Sequence, residues 1–266
     1  MTGAAFKEAL KGDDPLIGTL LVSTSPFWPK ALAAVDLDFV FIDTEHIAIN
    51  RETLSWMCRC YAAMGLPPLV RIPDQDPNAI TVALDDGASA VVAPYIENAD
   101  QVRALVGASK FRPLKGDRLA KALAGHPLEP GLQHYVTQHC QSNTLLINIE
   151  STPALENLER LIDVDGVDGI LIGPHDLSCS LGIPEQYDHP LFLRSVETVF
   201  KKTRSRGLAA GIHFWGPLEE QKRLIQLGAS FLIHKADIIM VKEQLQSDLA
   251  ALRPPRNNPQ PTNLNL

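Results

Sequence analysis

The stretch "LDFVFIDTEH", residues 37–46, sets Phe39, Val40, Phe41 and Ile42 in succession and then places Asp43, Glu45 and His46 within four positions. A continuous apolar run, lacking the alternation of a half-exposed strand, reads as a strand buried on both faces. Strands of that kind belong to parallel sheets covered by helices. The question is then how many companions it has, and why three ionisable groups stand at its C-terminal end.

Seven further runs share the pattern: "IGTLLVS" (17–23), "PLVRI" (68–72), "ASAVVAPY" (88–95), "LLINIE" (145–150), "VDGILIG" (167–173), "AAGIHFW" (209–215) and "SFLIHKAD" (230–237). Helical patterns lie between and after them, at about 27–35, 51–64, 77–86, 98–108, 153–162, 191–206, 217–227 and 238–251. Asp76-Pro77 and Ser151-Thr152-Pro153 supply start signals, and Gly65, Gly87, Gly207 and Gly228 supply stops. Eight alternations without a break in composition predict one α/β domain, a (β/α)8 TIM barrel over residues 1–252, in preference to a doubly wound open sheet. The polar, proline-rich tail 253–266 stands outside it. Two long segments interrupt the repeat, 111–140 and 174–190, and loops of that length are usually functional.

Composition narrows the class. The chain has 266 residues, 45% hydrophobic and 21% charged, with a formal net charge of -7. That balance argues against nucleic-acid binding and leaves room for small anionic partners. Cys58, Cys60, Cys140 and Cys179 form no paired CxxC motif, so reduced thiols in a cytoplasmic protein are expected. No leader-like h-region and no run of about 18 apolar residues occurs, so neither secretion nor membrane spanning is expected.

In a parallel barrel, loops after the strands converge on one mouth. Strand two would bring Asp43, Glu45 and His46, strand three Arg71, strand five Glu150, strand six Asp176, and strands seven and eight His213 and His234. Singly, each has a structural explanation: Asp43 or Asp176 as a cap, Arg71 as an ion-pair partner, either histidine as a packed core group. Glu150 resists that explanation most, because an unpaired carboxylate at the end of an apolar strand is costly. Carboxylates on adjacent strands with neutral oxygens nearby and no cysteine cluster suit Mg²⁺ or Mn²⁺. An arginine beside such an ion can clamp a substrate carboxylate, and a histidine can move a proton.

With "VRIP" (70–73), "GASAVVAPYIENADQ" (87–101), "INIES" (147–151), "VDGILIGPHDLSCSLG" (167–182) and "GASFLIHKADI" (228–238), the opening stretch resembles the HpcH/HpaI family of metal-dependent pyruvate aldolases. The likeness runs over about residues 10–250. It implies a carbon–carbon lyase that reversibly cleaves a 4-hydroxy-2-oxo acid to pyruvate and an aldehyde. Glu150 and Asp176 would be the protein ligands of Mg²⁺ or Mn²⁺, with Co²⁺ as a further option. Arg71 would hold the 2-oxo acid, His46 would be the acid/base centre, and Asp85 would orient that histidine, from a neighbouring subunit if not its own. Asp43 and Glu45 would support metal-bound water and the loop. The resemblance also implies a homohexamer, a trimer of dimers with the last helix exchanged.

The sequence departs from the family pattern at several places. Asn148 stands where a glutamine is usual, His175 follows Pro174 in place of a small residue, and His213, Phe214 and Trp215 replace aliphatic residues. "FRPLKGDRLAKAL" (111–123) lacks the glycine that normally follows its arginine. These differences are expected on the aldehyde side of the mouth. Two competing functions remain open from sequence: another metal-enolate reaction, such as oxaloacetate decarboxylation or carbon–carbon bond formation, and a barrel without catalysis.

Overall fold

The computed structural model describes residues 1–253, so residues 254–266 of the expected tail lie outside the described residues. Eight strands form: β1 (Leu16–Leu20), β2 (Phe39–Asp43), β3 (Pro68–Arg71), β4 (Ala90–Ala93), β5 (Thr144–Ile149), β6 (Gly169–Ile172), β7 (Ala209–Phe214) and β8 (Phe231–Ala236). They pair in chain order, all parallel, and β8 closes on β1. Every expected strand is present, and most stop short of their apolar run. At β1 the cause is visible: the Val22 and Ser23 N–H groups donate to the Asp237 carboxylate, each at 3.0 Å, rather than to a neighbouring strand.

The main helices are α1 (Gly3–Ala9), α2 (Trp28–Leu32), α3 (Arg51–Ala63), α4 (Pro77–Asp85), α5 (Ala99–Lys110), α6 (Gly116–Leu123), α7 (Pro130–Cys140), α8 (Thr152–Glu156), α9 (Leu158–Ile162), α10 (Pro174–Ser180), α11 (Pro190–Arg204), α12 (Leu218–Gln226) and α13 (Asp237–Leu252). Asp76 and Ser151 cap α4 and α8 as their sequence suggests. The single helix expected at 153–162 divides at Asn157, whose amide bonds the Glu97 and Pro153 carbonyls. Helix α1 was not foreseen; its Phe6, with Leu10 just beyond it, plugs the end of the barrel where the strands begin, Phe6 lying 5.3 Å from the Phe39 ring.

Strand alternation divides the core in two. Phe39, Phe41, Leu69, Val92, Leu146, Leu171, Phe231 and Ile233 fill the barrel interior, while Val40, Ile42, Val70, Val91, Ile147 and Ile170 face the helices. Gly211 makes this interior possible, since a Cβ there would fall 2.3 Å from the Phe231 ring. Among the described residues the cysteines are free, and no helix is long and apolar enough to cross a membrane.

Candidate functional site

Asp43 and Arg71 are register partners at the ends of β2 and β3. The Arg71 guanidinium forks onto Asp43, Nε to Oδ1 at 2.9 Å and Nη2 to Oδ2. Burial would raise the Asp43 carboxyl, but this bidentate pairing outweighs it and holds the group below the usual carboxylate range. Glu45 Oε2 lies 3.1 Å from Arg71 Nε and 3.7 Å from His46 Nε2, yet accepts no hydrogen bond among the described residues. Burial pushes Glu45 up to about 7 against the pull of Arg71, with Asp43 and Asp176 adding to the rise. His46 itself is exposed.

Glu150 follows the last residue of β5 and is only 3% exposed. Its Oε1 accepts the Tyr95 N–H at 2.6 Å and its Oε2 accepts from Asn148 Nδ2 at 2.8 Å. Tyr95 holds a positive φ of 51°, a conformation that costs a non-glycine residue about 1–2 kcal/mol and that accompanies the aim of its N–H at the carboxylate. Burial drives Glu150 up to about 7, offset by Tyr95 N–H, Arg71 and Asn148, while the charge of Asp176 adds to the rise. Gly173 makes the space: a Cβ there would stand 2.4 Å from Glu150 Oε2. Asp176 is half-buried in the first turn of α10 and acts through space on Glu150, Glu45 and Tyr95 alike.

These groups form a cluster of oxygens short of positive charge. Besides the raised carboxyls, Asn148 Oδ1 is fully buried and has no hydrogen-bond partner among the described residues. Orphaned acceptors of this kind are expensive unless something outside the chain supplies donors. A hydrated hard cation fits both needs, since its charge relieves the carboxylates and its waters donate to the orphaned oxygens. No group of three or more His, Cys, Asp and Glu able to hold a metal occurs among the described residues. Two carboxylates with retained waters fit Mg²⁺ or Mn²⁺ better than zinc.

Residues 17–238 match the HpcH/HpaI aldolase/citrate lyase family model. This chain belongs to that family. It is 32% identical over 255 residues to the 2-keto-3-deoxy-L-rhamnonate aldolase of Escherichia coli O17:K52:H18 (strain UMN026 / ExPEC), covering 96% of this chain and 95% of the relative. An HpcH/HpaI aldolase/citrate lyase family protein from Burkholderia cenocepacia J2315 superposes with a TM-score of 0.80 at 27% identity, covering 94% of this chain and 99% of that one. Citrate synthase SbnG gives 0.77 at 27% identity, with 92% and 96% covered.

Within this HpcH/HpaI barrel the remaining candidate residues divide. His213 faces inward on β7, where its Nε2 donates to the Lys235 carbonyl at 3.1 Å. Burial pushes it down to about 4, with the Lys235 bond opposing and Arg71 adding to the drop, so it is a neutral imidazole. His234, expected at the mouth, instead faces α12 and meets Gln221 Oε1 at 2.7 Å, because neighbouring strand residues point to opposite faces. That alternation would have chosen Lys235, whose Nζ is held 2.6 Å from Glu243, against any Schiff-base role. Pro174 is buried at the start of α10, while His175 is exposed, 3.6 Å from Glu185.

Asp85 is not brought to His46 within the chain. It ends α4, which runs back toward the start of β4, and it pairs with Arg112. Segment 111–140 lies at that same far end, between α5 and the start of β5, rather than beside the mouth as expected. Helix-to-strand connections return to the face where strands begin, a rule that the sequence order alone contains.

Proposed function

We propose that this chain is a divalent-metal-dependent aldolase, a carbon–carbon lyase that reversibly cleaves a 4-hydroxy-2-oxo acid into pyruvate and an aldehyde. The observation that carries the proposal is Glu150: a buried carboxylate with only neutral donors, next to an orphaned amide oxygen. Glu150 and Asp176 would hold Mg²⁺, Mn²⁺ or Co²⁺, and the bound ion would supply Lewis-acid polarisation of the 2-oxo group. Everything else falls to the chain's own side chains. Asp43 and Glu45 fix the plane of Arg71, whose guanidinium receives the substrate carboxylate. His46 takes the proton of the C4 hydroxyl, the C3–C4 bond breaks, and its electron pair stays on the pyruvate half as the enolate. C4 departs as the aldehyde carbon, and a proton delivered to C3 yields pyruvate. The oxygens of Asn148 and Glu45 orient water around the reacting atoms. Pro174 and His175 shape the turn that presents Asp176.

Other copies of the chain complete the picture. Helix α13 buries only Asp237 and exposes Val241, Leu245, Leu249 and Leu252 on one stripe. A second copy would cover that stripe, in keeping with the homohexamer that the family resemblance implies, and Asp85 would reach His46 from such a neighbour. Four free cysteines suit a reducing, cytoplasmic setting.

A second function at the same enolate site is carbon–carbon bond formation, favoured by the likeness to citrate synthase SbnG, or oxaloacetate decarboxylation. Coupled detection of pyruvate from 4-hydroxy-2-oxo acids, with EDTA-stripped enzyme before and after adding metal, tests the first. Release restored by metal is the expected result. Equal release without metal removes the metal assignment, and silence with metal moves the assignment to the second function or, if metal also fails to bind, to a barrel without catalysis.

A further inference from the structure

With the 2-oxo-acid end between Arg71, Glu150 and Asp176, on β3 to β6, C4 and its substituent must extend across the mouth toward β7, β8, β1 and β2. That side presents carbon. Val22 follows β1, Ile47 adjoins His46 after β2, Trp215 follows β7, and Ile239 sits in the first turn of α13; all four are half-buried and pack on the upper end of the inner core. An aromatic run leads to them from the acid end. Arg71 Cζ lies 5.9 Å from the Phe41 centroid, Phe41 lies 5.6 Å from the His213 ring, and His213 lies 4.7 Å from Trp215 with the rings tilted by 34°.

Several polar groups around this rim are already engaged. His213 Nε2 binds the Lys235 carbonyl, Lys235 Nζ binds Glu243, and the Asp237 carboxylate accepts the N–H groups of Val22, Ser23 and Ile238. His213 Nδ1, an acceptor, and the Trp215 indole N–H, a donor, have no partner among the described residues. A polyol entering here would lose the water around several hydroxyls and recover few hydrogen bonds, whereas a planar apolar group loses little and gains stacking.

We propose that this rim selects an aldehyde with an apolar, aromatic substituent over a polyhydroxylated one, with Trp215 as the stacking platform. The inference rests on the aldolase function above. In the cleavage step the C4 hydroxyl proton passes to His46, the C3–C4 electron pair remains with the enolate, and the aryl aldehyde is the leaving half.

The test uses full-length enzyme with Mn²⁺ and three substrates: 4-hydroxy-4-phenyl-2-oxobutanoate, a 2-keto-3-deoxy sugar acid, and oxaloacetate, whose decarboxylation forms the same enolate without an aldehyde. The aryl substrate is expected to exceed the sugar acid in kcat/KM by at least about tenfold. Trp215→Ala should lower the aryl-to-oxaloacetate ratio by about tenfold, and Trp215→Phe should restore most of it. A faster sugar acid, or a ratio untouched by Trp215→Ala, overturns the proposal. Turnover of oxaloacetate alone overturns it while leaving the enolate site standing; silence on all three substrates overturns the aldolase function with it.

Discussion

Glu150 and Asp168 are both carboxylates buried at ends of the same barrel, 3% and 6% exposed, and their surroundings are opposite. Asp168, just before β6, lies 3.3 Å from Lys7 Nζ, is paired with Lys110 Nζ, and accepts the Leu145 N–H at 2.8 Å. Glu150 receives two neutral donors, and no cation pairs with it among the described residues. A carboxylate that the chain itself neutralises is part of the scaffold. One left with too little positive charge is open to receiving it from a ligand, which is the role proposed for Glu150, and the two ends of the barrel would then separate those tasks.

Substitution should split them cleanly. Glu150→Gln removes the charge and keeps an acceptor for the Tyr95 N–H, while its new amide N–H meets Asn148, whose amide must turn to present the orphaned Oδ1. The kcat/KM should fall by at least about 10³ (roughly 4 kcal/mol) while urea unfolding of the metal-free protein shows unchanged or higher stability. A loss of stability would put Glu150 in the scaffold with Asp168. Asp168→Asn does the reverse. It leaves Lys7 and Lys110 buried without their counter-charge, at a cost of about 3 kcal/mol or more, and the folded fraction should retain turnover. Burial already pushes Lys110 down to about 8, with Asp168 opposing that drop.

Titration offers a smaller contrast at the mouth. Glu45 is raised to about 7 from an ordinary value of 4.5, so the fold favours its protonated form. The folded value exceeds the unfolded one; the associated stability is therefore present below pH 4.5 and is lost as pH rises through 7. In metal-free protein, the difference in unfolding free energy between wild type and Glu45→Gln should shift by roughly 1–3 kcal/mol across that window, against the wild type at higher pH. A flat difference would mean that Arg71 holds Glu45 ionised throughout.

Much of this division was legible in the sequence. The continuous apolar runs marked every strand, because a parallel barrel buries both faces, and the polar residue ending each run marked Asp43, Arg71 and Glu150 for the mouth. What escaped depends on direction. His234 and Lys235 are neighbours whose side chains take opposite faces, and the run "SFLIHKAD" does not say which face is inward until β8 is in register with β7. The Tyr95 N–H also escaped, since a backbone donor leaves no mark in residue type. Segment 111–140 lies away from the mouth because helix-to-strand connections return to the face where strands begin, and for Asp85, at that same end, sequence likeness carries a role without saying which copy of the chain provides it.

Gly173 and Gly169 sharpen the contrast with one methyl group each, on the two ends of the β6 segment. At Gly169 an added Cβ meets the Ala209 carbonyl oxygen at 2.4 Å and the Ala209 Cβ at 2.6 Å, so strand pairing must give way. At Gly173 the first atom met is Glu150 Oε2 at 2.4 Å, and the backbone there, φ -89° and ψ 95°, suits alanine without strain. Gly173→Ala should therefore displace the Glu150 side chain, whose Cβ would also lie 3.0 Å from the new methyl, lowering Mn²⁺ affinity by roughly 10- to 100-fold in a titration followed by electron paramagnetic resonance, with a melting temperature near wild type. Gly169→Ala should do the opposite, lowering the melting temperature with Mn²⁺ affinity of the folded protein preserved. Undiminished Mn²⁺ binding by Gly173→Ala would mean that the ion does not depend on where Glu150 points, and the metal would have to be sought elsewhere in the mouth.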